Sequence, residues 1–240
     1  MPGPRDPDDD SAEVLSESVY QRLRQGIVSG RYAPGTGLTE REIAAEFGVS
    51  RAPIRAAINR LEFTGFIRLA PRRTAVVTAV TSADAEELYD LRAALEPVAA
   101  RAAALRVAAG ASPEPLERAL AAAAQAIATD DSAGLDHANA ELHRAITALA
   151  GHALFERTFA PLQDRSDRLS AITIASAPAV RHAEHQALVS AIAAGNPRLA
   201  EACAFTHAEQ GRLRTMEALV DQTATAGTPG GPGAARASRR

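Results

Sequence analysis

Lysine and tryptophan are absent from the chain, cysteine occurs once, and aromatic residues make up only 4% of it. Each absence closes off a class of function. A single cysteine, Cys203, leaves no intramolecular disulfide framework and fits a reducing compartment such as the cytoplasm. So few aromatics argue against recognition of single strands by base stacking. No apolar run is long enough to span a membrane, and the acidic start (Asp6, Asp8, Asp9, Asp10) is unlike a signal peptide. All 26 basic residues are arginine, which together with abundant alanine reads as GC-rich coding rather than as function. The 240 residues leave room for one large or two modest domains. Residues 1–11, rich in Pro and Asp, and the low-complexity residues 223–240 are expected to be disordered tails.

The most informative stretch is 39–65, TEREIAAEFGVSRAPIRAAINRLEFTG. Ile43, Ala44 and Phe47 stand at helical spacing over about 40–47, and Gly48 then supplies a residue for which a left-handed turn is cheap. Ser50 can cap a second helix, with Pro53 inside its first turn, where a missing N–H does little harm. Ile54, Ile58 and Leu61 form a buried stripe on that helix, and Arg51, Arg55 and Asn59 share the neighbouring face. Helix, glycine turn and capped helix with N-terminal arginines form the helix-turn-helix pattern, whose second helix enters the DNA major groove. On this stretch alone an ordinary surface corner with solvated arginines is the lesser alternative.

The flanking residues favour DNA. Ile67, Leu69, Val76 and Thr78 lie in two strand-like segments around Pro71-Arg72-Arg73-Thr74, the pattern of a β-hairpin wing with a basic tip. Residues 20–80 hold ten Arg against four Glu, a surplus of +6 in a chain whose net charge is −3. Such a concentration is the electrostatic footprint of a nucleic-acid-binding domain. A first helix over about 12–29, with Val14, Leu15, Val19, Leu23 and Ile27 on one face, completes a winged helix-turn-helix domain over 12–80.

From Thr81 onward the strand-like alternation stops and Ala-rich helical patterns succeed one another. Thr81 with Asp84 three residues on opens the first, and Gly110 closes it. Ser112-Pro113-Glu114 starts the second, by an N-cap and Pro at the first helical position. Breaks at Asp130-Asp131-Ser132, Gly151, Pro178 and Gly195-Asn196-Pro197 divide the rest into four more, the last ending near Gln222. The expected fold is mainly α: three helices and a β-hairpin wing, then an antiparallel all-α bundle of about six helices over 81–222.

None of the six histidines lies in the basic segment. Asn139 and His143 are i, i+4 on one helix face. His185 lies ten residues before Gly195 and His207 ten residues after Pro197, so each stands about 15 Å along its arm and the two come level across the turn. If the third helix of the bundle packs beside that hairpin, three imidazoles and an amide oxygen converge, a set that suits Zn²⁺ or Ni²⁺. Taken singly, each histidine is better explained as an ordinary half-buried residue. His137, His152 and His182 are read that way, with His182, one turn from His185, the exception to watch.

These residues together resemble the GntR family of bacterial transcription regulators, in the FadR-like branch with an FCD effector domain. The resemblance covers about 14–220 and rests on GRYAPGTGLTEREIAAEFGVSRAPIRAAINRLEFTGFI, LYDLRAALEPVAARAAA, NAELHRAI, and EHQALVSAIAAGN followed by His207. It implies DNA contacts by Arg41, Arg51 and Arg55, a phosphate contact by Ser50, and a recognition helix closed by Gly65; Arg72 and Arg73 at the wing tip join them as DNA-contacting residues. It implies a divalent metal held by Asn139, His143, His185 and His207, and a cavity-facing Arg92 that pairs with a small organic acid. The implied protein is a cytoplasmic, nucleoid-associated homodimer that binds a short inverted repeat of double-stranded DNA and acts as a ligand-responsive repressor. Three positions depart from the family pattern: Asn139 stands where Asp is usual, Thr74 where the wing has Gly, and His152 where Asn is frequent. Losing the Asp removes one negative charge from the metal shell.

Two rival readings use the same residues. A metal-dependent hydrolase or isomerase would need a carboxylate near the ligands; no HExxH motif occurs, and Glu184, next to His185, is expected to face elsewhere. A dimerisation module with a vestigial metal site is kept open by Asn139.

Overall fold

The computed structural model describes residues 7–70, 74–173 and 177–226. Helix α1 (Pro7–Val28) leads into strand β1 (Gly37–Leu38), helices α2 (Glu40–Phe47) and α3 (Arg51–Phe63), and the hairpin β2 (Ile67–Ala70) and β3 (Thr74–Val77). Six helices follow: α4 (Ser82–Ala108), α5 (Glu114–Ala128), α6 (Ser132–Ala150), α7 (Ala153–Thr173), α8 (Pro178–Ala193) and α9 (Pro197–Ala226). Winged helix-turn-helix and all-α bundle are thus the architecture expected from the sequence. Arg72 and Arg73, residues 1–6 of the first tail and residues 227–240 of the last lie outside the described residues.

Local chemistry explains the N-terminal elements. The Thr39 hydroxyl accepts from the Glu42 N–H while the Glu42 carboxylate accepts from the Thr39 N–H, and Gly48 at φ 68° turns the chain out of α2. Ile54, Ile58 and Leu61 of α3 pack against Val19, Tyr20, Leu23 and Ile27 of α1 and against Phe66, Ala75 and Val77. Val14 and Leu15 are exposed, because α1 starts at Pro7, earlier than the expected residue 12, and its first turns project past the core. Strand β1 was not foreseen. It adds to the far side of β3, giving the antiparallel order β1-β3-β2, with Gly37 opposite Val76. The inward residues of the hairpin are Ile67, Ala75 and Val77; Leu69 is exposed.

In the bundle, Thr81 and Asp84 form the expected reciprocal cap of α4. Ser112 also caps α5, accepting from Glu114 N at 3.2 Å, but the helix opens one residue later than expected, with Pro113 at the N-cap. α9 runs to Ala226, past the expected end near Gln222. Ala99, Ala100, Ala103 and Ala104 let α4 come close to α8 and α9, with Leu142, Ile146, Leu188 and Ile192 filling the space between. Nearer the DNA-binding end the α4–α9 approach needs Gly211. A Cβ there would stand 3.0 Å from the Tyr89 ring, whose hydroxyl lies 2.9 Å from Thr215 Oγ1.

No buried core cluster among the described residues spans both domains; one holds residues 19–77 and the others begin at Ala85. Helix α7 bridges them with polar contacts instead. Tyr20 donates to Asp164 at 2.7 Å, Arg24 to Asp167 at 2.5 Å, and Arg165 to the Thr64 carbonyl at 3.0 Å. Arg168 donates to the Gly65 carbonyl at 3.2 Å and to Thr78 Oγ1 at 2.9 Å. Clefts of about 810 Å³ and 310 Å³ between the domains are both lined in part by α7.

Candidate DNA-binding surface and metal centre

On α3, Arg51, Arg55 and Asn59 are all exposed, in one row beside the buried stripe, and Arg41 of α2 is exposed as well. Arg55 is held in place: its Nε lies 2.9 Å and 3.0 Å from the two carboxylate oxygens of Glu40. Ser50 occupies the N-cap position in an extended conformation, yet its hydroxyl makes no bond to the helix, contrary to the capping role expected of it. The Pro53 side of the first turn is already buried in the core, and the N-terminus of α3 keeps N–H groups that no side-chain cap takes up. Such a terminus suits a phosphate oxygen.

The second site lies inside the bundle. Helix α6 contributes Asn139 and His143, α8 contributes His185, and α9 contributes His207, the α8–α9 turn being made at Gly195 with φ 62°. The ligating nitrogens of the three histidines all lie within 4.8 Å of one another. His185 and His207 approach most closely, Nε2 to Nε2, at 3.3 Å. Asn139 is buried on the wall of the same cavity, and its Nδ2 has no partner. His182 stays outside this group.

Burial, reinforced by neighbouring His207 and guanidinium groups and opposed by Glu96, pushes the His143 imidazole down to about 3. Burial and the neighbouring rings take His185 well below its usual value. Both are therefore neutral ligands near pH 7. The Nδ1 of His207 is 2.9 Å from Glu184 Oε2, so its other ring nitrogen, Nε2, is the one that faces His185 and could ligate an ion. Two ligands of a tetrahedral ion bonded at about 2.0–2.1 Å stand about 3.4 Å apart. The 3.3 Å separation matches that edge, and three imidazole nitrogens together within 4.8 Å fit a nitrogen-preferring divalent ion.

Glu184 corrects the expectation that it faces elsewhere. Successive helical residues are about 100° apart, so Glu184 and His185 can both address α9. Its carboxylate is fully engaged, with Arg214 Nη1 at 2.6 Å and Nη2 at 2.9 Å besides His207. Burial works to raise its pKa, but the hydrogen bonds from His207 and Arg214 hold it at about 2. A carboxylate so committed is no general base. Arg92 lines the cavity as expected, but its Nε is 2.6 Å from Glu96, one turn on, so the two form a neutral buried pair.

The sequence reading missed Arg181, Glu184, Glu96 and Arg214. Helical spacing carried the signal: Arg181 is one turn before His185, Glu96 one turn after Arg92, and Arg214 two turns after His207. Arg181 is buried and donates to the Thr173 carbonyl at 3.0 Å and to Thr173 Oγ1 at 2.8 Å, at the end of α7. As packed, the cavity between Arg92, Asn139, Arg181 and Arg214 measures about 20 Å³, room for an ion or a water.

Two family models match the chain: bacterial regulatory proteins of the gntR family over residues 15–77, and the FCD domain over residues 87–210. An HTH-type transcriptional regulator from the TAR-I ttuE-ttuC' intergenic region of Agrobacterium vitis is 36% identical over 83 residues, 35% of this chain and 48% of that protein. The gluconate operon transcriptional repressor of Bacillus subtilis is 47% identical over 78 residues, 32% of each chain. This chain thus spans less than half the length of either relative. Among solved structures, Escherichia coli McbR/YncC superposes with a TM-score of 0.72 at 20% identity, over 87% of this chain and 98% of that one. The family matched over residues 15–77 is one of bacterial regulatory proteins. The chain belongs to the GntR family of bacterial transcription regulators, in the branch whose second domain is an FCD domain.

Proposed function

We propose that the protein is a cytoplasmic, nucleoid-associated repressor, with residues 12–80 binding an inverted repeat as a homodimer and residues 81–222 binding a divalent ion and a small organic acid. The observation that carries this reading is the convergence of His143, His185 and His207 with Asn139, beside buried arginines, in a chain with an exposed arginine row on α3. Zn²⁺ or Ni²⁺ would be held by these four residues and, when bound, would supply positive charge to a carboxylate oxygen. Glu184 sets the His207 tautomer, and Arg214 keeps Glu184 ionised. Arg41, Arg51 and Arg55 face the major groove, Ser50 and the α3 N-terminus a phosphate, and Arg72 and Arg73 the flanking backbone.

Coupling between the sites runs through α7. Its last residues, Ser170 and Thr173, wall the cavity, while Arg165 and Arg168, one to two turns earlier, hold Thr64, Gly65 and Thr78 of the DNA-binding domain. A ligand that displaces the Thr173 end shifts the element on which the other domain rests. Arg168→Ala should then leave metal uptake unchanged while reducing the acid's effect on operator affinity several-fold. Fluorescence anisotropy of a labelled operator, with and without metal and acid, measures both this and the parent proposal. An undiminished acid effect would take α7 out of the route.

Dimerisation through the bundle has a candidate face on α4. Leu91, Val98 and Leu105 (i, i+7, i+14) are exposed in a line, with Leu95 and Ala102 half-buried between them. Pairing two α4 helices antiparallel about Val98 sets Leu91 against Leu105 and Asp90 against Arg106, a self-complementary two-fold surface. Val98→Arg places two like charges at the axis, so sedimentation should report a shift from dimer toward monomer. A variant that stays dimeric at the same concentrations would exclude this face.

A further inference from the structure

The buried guanidinium groups of Arg92 and Arg181 and the half-buried one of Arg214 line the histidine cavity, and their pairing differs. Arg92 is matched by Glu96 at 2.6 Å, and Arg214 by Glu184 at 2.6 Å. Arg181 is 7% exposed and, among the described residues, touches only the neutral carbonyl and hydroxyl of Thr173. No carboxylate among the described residues forms an ion pair with it, and it is bonded through Nη2 alone. A buried cation with no carboxylate in direct contact is costly to keep, and its fork of donors suits an incoming anion. Burial, with Arg214 next in importance, lowers its pKa, while Tyr89 and Glu184 act in the opposite direction.

The metal ligands add to this imbalance. Imidazole and amide ligands bring no negative charge into direct contact with a divalent ion, one turn of α8 away from Arg181. A monocarboxylate would answer one of these two centres and leave the other bare.

We propose that Arg181 is the second anchor of the effector site and that the effector is a dicarboxylate, one end directed to the metal centre and the other to Arg181. This rests on the effector reading above and names the class of acid. The bidentate fork of a guanidinium suits a carboxylate, and the incoming group takes over donors that Nη2 now gives to Thr173. Entry therefore frees Thr173, the end of α7, in the same event that neutralises Arg181. Arg92, which the family resemblance offers as the anchor, stays with Glu96 as part of the wall.

The test is calorimetry on the full-length, Zn²⁺-loaded protein with succinate and glutarate, each against its half-amide, which keeps the length and loses one charge. Metal retention is measured after every titration. The diacids should bind at least tenfold more tightly than the half-amides, and Arg181→Gln should remove that preference while metal content stays the same. Arg181→Lys, which keeps the charge and loses the fork, should retain part of it. Half-amides binding as tightly as diacids to the wild-type protein would overturn the dicarboxylate assignment while leaving the effector reading intact. A preference that survives Arg181→Gln would overturn the anchor. Failure of every acid of either charge would bring down the effector reading and this inference with it.

Discussion

Alanine in place of His185 is expected to abolish uptake of Zn²⁺ or Ni²⁺ and, with it, the effect of any acid on DNA, while basal operator binding persists. His143→Ala and His207→Ala should do the same, since each removes one of the three nitrogens that converge. Glu184→Gln acts one step out. It keeps the shape but loses the charge that fixes the His207 tautomer, and outer partners of this kind cost about 10–100-fold in metal affinity. Asn139→Asp should work in the opposite direction, tightening metal binding in the absence of acid by restoring a negative ligand. The same substitution should weaken the cooperation between metal and acid, because less positive charge is left for the acid to answer. Linkage makes that cooperation reciprocal: the factor by which acid raises metal affinity equals the factor by which metal raises acid affinity. Calorimetry of each into protein with and without the other measures both factors. Tight metal binding that no acid alters would make the ion a structural staple. No metal binding at all would leave the bundle a dimerisation module.

The second large effect is on DNA. Arg51→Ala should cost about 1–3 kcal/mol on the operator if its guanidinium reads a guanine edge in bidentate fashion, roughly 5- to 150-fold in affinity. Arg55→Ala should cost somewhat less. Arg55 must first leave Glu40, although that pair is exposed and so costs little to open. Arg72→Ala should weaken all sequences alike and lower the slope of log affinity against log salt by about 0.9, as loss of one phosphate contact does. Titrations on operator and random duplex over a salt series separate the two kinds of contact. An equal loss on both duplexes for Arg51→Ala would reassign that residue to the backbone.

The helix-turn-helix was legible because its determinants are local. Thr39 with Glu42, Gly48, and the Ile54-Ile58-Leu61 stripe each lie within one or two helical turns. Strand β1 was not, because two residues carry no periodicity and Gly37-Leu38 is a strand only by virtue of its bonds to β3. In the site, His185 and His207 could be paired from their equal distances to one turn, a statement about a hairpin and nothing else. Glu184 was misjudged because facing was taken as all-or-none between neighbours 100° apart. Arg181 was overlooked although it shares the His185 face, because an arginine reads as surface until burial is known. Nothing local could have disclosed α7 as the bridge: Asp164, Arg165, Asp167 and Arg168 look like an ordinary solvated face, and their partners lie 90 or more residues away.

That bridge also bears on how ionic strength should act on the free protein. A seam closed by charge and hydrogen bonds, with no shared apolar core among the described residues, is loosened by salt only gradually, because its mostly buried pairs are screened less than exposed ones. The two halves should then tumble more independently as salt rises, and the radius of gyration from small-angle scattering should grow without any loss of helix. Operator binding would sample this undocking as well as the release of counterions from the phosphates. A plot of log affinity against log salt should accordingly curve, and Arg24→Gln, which pre-loosens the seam without touching DNA, should straighten it.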